Sequence, residues 1–195
     1  MKNLSISVLA FFMLTSCIVI EFHGYRSGYR KLSPQERSRV KVLPQNRPIN
    51  ALVTNDTIYQ INAGQLKAFL ASEDSALIYF WSPHCPGETC YPVKTVQELA
   101  DKQGNNLLVI CDYFDFEAVQ AQSVQALQYP LLAINSDYYN SDICAKYQMR
   151  FRLDLFDIEA KDDLEASPKY SRYLWFYQGE LVTTGARPLK TASKF

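Results

Sequence analysis

Neither sign of charge predominates in this sequence, and its acidic stretch has no glycine. Twenty lysines and arginines balance twenty aspartates and glutamates, for a formal net charge of zero. Without a basic surplus the chain lacks the electrostatic footprint of a nucleic-acid binder, and no nucleic-acid partner is expected. Asp157, Glu159, Asp162, Asp163 and Glu165 crowd into one stretch near the C-terminus. A calcium loop needs a turn glycine among its carboxylates. None lies between Phe151 and Tyr170, so the stretch reads as a solvated acidic loop and no metal site is expected. Apolar material, by contrast, is plentiful: 48% of residues are hydrophobic, with 13 tyrosines and 11 phenylalanines. In 195 residues that suffices for one cored domain plus extras.

Lys2 is followed by "LSISVLAFFMLTSC", which ends at Cys17. A charged start, an apolar stretch too short to span a bilayer comfortably and small residues before the cysteine form a secretory pattern. Leu14-Thr15-Ser16-Cys17 resembles the lipobox of bacterial lipoproteins. That resemblance implies cleavage before Cys17 and attachment of lipid to it. The alternative is an uncleaved anchor. Ile18, Val19 and Ile20 extend the apolar run to roughly the 17-residue lower limit of a spanning helix. Either route places the body outside the cytoplasm, where disulfides persist. Cys85, Cys90, Cys111 and Cys144 then remain. They allow three full pairings, among which sequence alone does not choose.

Residues 18–56 carry Arg26, Arg30, Lys31, Arg37, Arg39, Lys41 and Arg47, with Pro34, Pro44 and Pro48 as helix breakers. This segment reads as a tether, either resting on anionic headgroups or simply solvated. The domain is expected to start near Thr57. "TIYQI" alternates as a short strand. In "NAGQLKAFLAS", Asn62 and Gln65 are spaced as a capping box, and Leu66, Phe69 and Leu70 share a helical face. "ALIYFW" and "NLLVIC" are continuous apolar runs, as expected of strands buried on both faces. A helix is predicted from Pro92 to Gln103, with Val93, Val96 and Ala100 inside and Gly104 as its stop. "FEAVQAQSVQAL" reads as a helix, "YPLLAIN" is ambiguous, and "SDICAKYQM" reads as a short helix with Ser141 as cap. In the following "RFRLDLF", Phe151, Leu153 and Leu155 alternate onto one side. "RYLWFYQGELVTTG" reads as an antiparallel hairpin turning at Gln178-Gly179. Strands alternating with helices and closing on a hairpin give an α/β fold, a central mixed sheet flanked by helices.

Within this order, "YFWSPHC" resembles the thioredoxin superfamily, especially the envelope-anchored thioredoxin-like oxidoreductases of bacteria. The resemblance covers roughly residues 57–187. Phe80-Trp81 would end the strand, Ser82-Pro83-His84 would form the turn, and Cys85 would be the nucleophile. "WFYQGELVTTG" resembles the superfamily's last hairpin. The implied organisation is a signal peptide (1–16), a lipidated tether (17–56) and a thioredoxin-like domain (57–195) with an acidic insertion before the terminal hairpin. The implied activity is thiol–disulfide exchange on protein disulfides in the bacterial cell envelope. Cys85 would attack and Cys90 would resolve, with no cofactor but with a separate redox partner. The protein would be held to a membrane through Cys17 and face the periplasm. Two superfamily features are replaced. Its second cysteine falls three residues after the first, where Glu88 stands, and the next cysteine is Cys90. Its proline eight or nine residues before the hairpin glycine corresponds to Ser171 or Tyr170, and the nearest proline is Pro168. The alternative is therefore a redox-inactive thioredoxin-like binding module with a structural Cys85–Cys90 disulfide.

Helix geometry constrains that pair. Residues five apart on one helix sit about 140° apart around its axis, whereas a disulfide needs Cα atoms roughly 4.4–6.8 Å apart. Cys85 must therefore precede the helix. Pro86-Gly87 predicts a type II turn, and Pro92 suits a first helical turn. A helix N-terminus and a protonated His84 would lower the thiol pKa of Cys85, while Glu88 would oppose them. Cys111 ends the strand expected beside Trp81 and reads as a buried, inert thiol. Cys144 has no assigned partner. Cys17→Ala is expected to leave an unprocessed precursor or a mislocalised protein, seen by fractionation. Normal processing and anchoring of that variant would remove the lipobox assignment.

Overall fold

The unbroken apolar run from Ala76 to Trp81 is too short for a helix, and Ser75–Trp81 forms the central strand, β3. The computed structural model describes residues 25–85, 87–122, 127–159 and 171–188. The expected signal peptide and lipobox with Cys17, residues 18–24, Pro86 and the acidic Asp162, Asp163 and Glu165 lie outside the described residues. The remaining strands are β1 (Val40–Val42), β2 (Ile58–Ile61), β4 (Asn106–Cys111), β5 (Leu132–Ile134), β6 (Tyr173–Tyr177) and β7 (Glu180–Gly185). They form one sheet in the order β1-β2-β5-β4-β3-β6-β7. The first five are mutually parallel, and β6 and β7 join as antiparallel partners.

Helices cover both faces. The helices are α1 (Pro34–Ser38), α2 (Ala63–Ser72), α3 (Val93–Gln103), α4 (Phe116–Ala121) and α5 (Cys144–Leu155). Side chains of β3 alternate between two cores. Ala76, Ile78 and Phe80 pack with Leu66, Phe69, Phe151 and Leu155 of α2 and α5. Leu77, Tyr79 and Trp81 pack with Val93, Val96 and Ala100 of α3 and with Phe116 and Val119 of α4. A strand buried on both faces has no polar side to show, which explains its continuous apolar sequence. The Asn62–Gln65 capping box forms as expected. Gly104 ends α3 with φ 70°, a left-handed stop that glycine adopts without a Cβ penalty. Gln178 and Gly179 have φ 49° and 82°, the doubly positive turn favoured by two-residue hairpins.

Three expectations change. The alternating "RFRLDLF" is the last half of α5: Phe151 and Leu155 are buried four residues apart, and Leu153 is only half-buried. A three-position alternation fits a helix equally well when the intervening residue is an arginine that also buries, and Arg152 is 5% exposed. The helix read in "FEAVQAQSVQAL" ends at Ala121. The ambiguous "YPLLAIN" supplies β5, inserted between β2 and β4.

The largest difference concerns the segment read as a tether. Residues 25–56 pack on the body. β1 pairs with β2 in register Val40↔Ile58. Leu43, Ile49 and Leu52 enter the α2–α5 core, and Leu32 and Val40 enter the other. Gln65 Nε2 donates to the Leu43 carbonyl at 2.9 Å. The Arg39 guanidinium lies 4.6 Å from the Phe116 ring centroid. Apolar residues spaced among prolines show no single period, so the sequence pattern hid a strand and four further buried anchors. Among the described residues no helix is long and apolar enough to cross a membrane.

A chain beginning at Thr57 would lose five buried apolar side chains, each worth about 1.5–3 kcal/mol of burial. That is comparable with the whole stability of a typical domain, about 5–15 kcal/mol. Such a truncation is expected to unfold at much lower urea or not to fold cooperatively, and Ile49→Ala in the full chain should cost about 2–5 kcal/mol. An unchanged urea midpoint for the truncation would restore the tether.

Candidate functional site

In a sheet with helices on both faces, a crevice opens at the carboxyl end of the strand where the connections change face. β3 leaves through α3 on one face, and β6, its neighbour, is reached from α5 on the other. Cys85 follows the carboxyl end of β3. Its N–H donates to the Ser82 carbonyl at 3.3 Å, and its sulfur is bonded to that of Cys90 with Cα atoms 6.1 Å apart. Both cysteines are half-buried and precede α3, which starts at Val93. The chain reverses through a turn in which Cys90 N–H donates to the Gly87 carbonyl at 3.0 Å. Gly87 does not adopt a positive φ, so the expected type II turn at Pro86-Gly87 is replaced by this later one.

The loop rests on two tyrosines. Tyr79 of β3 and Tyr173 of β6 stack with ring centroids 4.5 Å apart and planes 9° from parallel. Their hydroxyls donate to the carbonyls of Tyr91 at 3.0 Å and Thr89 at 3.4 Å, on either side of Cys90. Burial pushes both phenol pKa values up, so both stay protonated donors at physiological pH.

His84 is exposed, and its Nε2 lies 3.0 Å from Asp115 Oδ2. Its ring meets Tyr113 edge-on at 5.1 Å. Asp115 is fixed as the cap of α4, where Oδ1 accepts from Ala118 N–H at 3.0 Å. Glu88 is 90% exposed and pairs with Arg187 at 3.0 Å. The two groups expected to act on Cys85 in opposite senses thus each have a partner of their own. Cys17, the expected lipid site, lies outside the described residues.

Cys111 pairs with Trp81 across β4 and β3. It is fully buried, donates to the Tyr113 carbonyl at 2.6 Å, and burial raises its pKa well above the usual thiol value. Cys144 is buried as well, and burial pushes it up to about 11. Neither thiol is bonded.

Asp112, just past β4, was not legible as functional. Its N–H donates to the Trp81 carbonyl at 3.0 Å, which sets it beside the end of β3. Its carbonyl accepts from the Tyr147 hydroxyl at 2.7 Å and from Cys144 Sγ at 3.3 Å. Oδ1 is buried with no hydrogen-bond partner among the described residues. Burial raises the carboxyl from 3.8 to about 6, against the opposing effects of Ser82 and Arg172. The available signal was slight: an acid ending an apolar strand run, "LLVICD". Set against protein-family models, curated proteins and solved structures, the chain matches none.

The Asp112 carboxyl binds its proton more tightly folded than unfolded, so its ionised form penalises the folded state. The penalty is absent below pH 3.8, grows as pH rises towards about 6, and is constant above that. At 1.36 kcal/mol per unit it reaches about 3 kcal/mol. Asp112→Asn is expected to gain roughly that much stability relative to the parent between pH 4 and pH 7.5, by urea unfolding at both values. A pH-independent difference would mean that Asp112 titrates as an ordinary carboxylate.

Proposed function

We propose that the protein is a thiol–disulfide oxidoreductase of thioredoxin-like fold, acting on protein disulfides through Cys85 and Cys90. The observation that carries this reading is the Cys85–Cys90 disulfide itself. It is half-buried and set between the carboxyl end of the central parallel strand and the start of a helix. The parallel β3–β4 pair and the antiparallel β6–β7 hairpin against β3 support the same reading. With Cys17 as its lipid anchor, the protein would work in the bacterial cell envelope, on the periplasmic side of a membrane.

In the reducing direction the Cys85 thiolate attacks one sulfur of a substrate disulfide. A mixed disulfide forms and one substrate thiolate leaves. The Cys90 thiolate then attacks Cys85 Sγ, expels the second substrate sulfur and closes the Cys85–Cys90 bond. The substrate gains two electrons and the protein loses two. A partner dithiol returns them by the same exchange in reverse. The protein's own residues supply position: Tyr79 and Tyr173 hold the backbone around Cys90, so the resolving sulfur stays beside the attacked one. No cofactor enters these steps.

A second reading, a binding module with a static disulfide, draws on one feature. Ser171 or Tyr170 stands ahead of β6 where the superfamily carries a proline. The two readings part on reduction. A working pair should have a potential above about −300 mV and a structural bridge below it. Cys90→Ser is expected to accumulate mixed disulfides on Cys85 in the native envelope, while Cys85→Ser captures nothing. A potential below that value, with no partner captured by either variant, would leave the binding module.

A further inference from the structure

A cavity of about 240 Å³ opens on the α5 side of the sheet, past the end of β3, and its lining includes Phe80, Asp112, Gln148, Arg152, Ser171 and Arg172. Two guanidiniums thus face one carboxylate. Arg152 is 5% exposed, with its guanidinium carbon 3.8 Å from the Phe80 ring centroid. Its Nη2 donates to the Ser171 carbonyl at 2.9 Å, and further contacts hold it. Burial, then the neighbouring Arg172, lowers its pKa to about 10, so it remains a cation at neutral pH. A charge fixed in a low-dielectric wall is felt across the cavity it borders.

Arg172 is placed differently. Among the described residues its guanidinium makes one hydrogen bond, from Nη1 to the Phe80 carbonyl at 3.3 Å. That contact is long and leaves most of the five donors of an arginine unspent. Asp112 offsets only part of this field, because one carboxylate stands against two guanidiniums. We propose that the cavity is a carboxylate-binding site, in which Arg172 grips the ligand and Arg152 supplies a buried positive field. A guanidinium fork matches the two oxygens of a carboxylate. A dianionic phosphate would suffer more repulsion from Asp112 than a singly charged carboxylate. The volume lies below the roughly 300–1,000 Å³ of sites for drug-sized ligands, so it suits one side-chain-sized acid. Such a group could be an acidic side chain of a partner protein or a small free acid. The inference stands whether or not the dithiol turns over.

The test is calorimetric titration of the full chain with sodium glutarate and with the peptide N-acetyl-Gly-Glu-Gly-amide, each against sodium chloride at matched ionic strength. Saturable binding of at least one probe is expected. Arg172→Ala should weaken it at least tenfold, and Arg172→Lys, which keeps the charge but loses the fork, about threefold or more. Arg187→Ala, at the Glu88 pair outside the cavity, should leave it unchanged. Tighter binding of the peptide would identify a protein-borne carboxylate, and tighter binding of glutarate a free acid. No saturable binding of either probe would overturn the site. So would unchanged affinity in a folded Arg172→Ala or, should that variant fail to fold, in Arg172→Lys.

Discussion

The stacked pair of Tyr79 and Tyr173 is the contact on which the site depends. The two residues face each other across the antiparallel β3–β6 ladder, so their stacking is a consequence of strand register. Their hydroxyls reach the loop carbonyls on both sides of Cys90. One cross-strand pair therefore transmits the geometry of the sheet to the sulfur. A one-residue register slip would send every side chain of β6 to the opposite face and remove both supports at once. Because these donors bind backbone, the fixed position of Cys90 does not require the disulfide to be closed. In the proposed exchange, such backbone support would hold Cys90 ready for the second step, in which it must find Cys85.

The N-terminal segment adds a second tie. Ser27 is fully buried, and its carbonyl accepts from Phe114 N–H at 2.7 Å. Its N–H donates to the Asp142 carbonyl, and Arg26 pairs with the Asp142 carboxylate. The loop that carries Tyr113 and Asp115 is thus braced by residues that precede every sheet strand. At Gly28 a Cβ would lie 2.8 Å from the Phe114 carbonyl oxygen and from the Tyr113 ring, and its φ is 82°. Only glycine lets the segment pass that close. His84 answers to this brace through Asp115. The segment nearest the proposed lipid anchor therefore helps to set the surroundings of Cys85.

Elements with a single strong period were legible in sequence. The apolar runs became β3 and β4, the Val93–Val96–Ala100 stripe became the inner face of α3, and Gln178-Gly179 became the hairpin turn. Helical geometry placed Cys85 before the helix, and both cysteines lie there. Missed features had no periodic signature. β1 is three residues long, and its neighbours bury singly between prolines and arginines whose charge suggested solvent. Asp112 and Arg172 are far apart in sequence and meet only because β4 and β6 flank β3 on opposite sides. No local pattern records such a meeting. The turn at Gly87 was misassigned because proline–glycine preference gave way to a different reversal, closed by Cys90 N–H.

Charge is arranged differently in the two parts of this crevice. Around the dithiol it is balanced pair by pair: His84 with Asp115, and Glu88 with Arg187. These are largely exposed pairs, each worth little to stability. On the α5 side the balance fails. Arg152 and Arg172 confront a single carboxylate, that of Asp112. Uncompensated charge next to apolar walls is costly unless something completes it. The crevice thus sets the paired groups around the disulfide apart from a positively biased cavity on the α5 side.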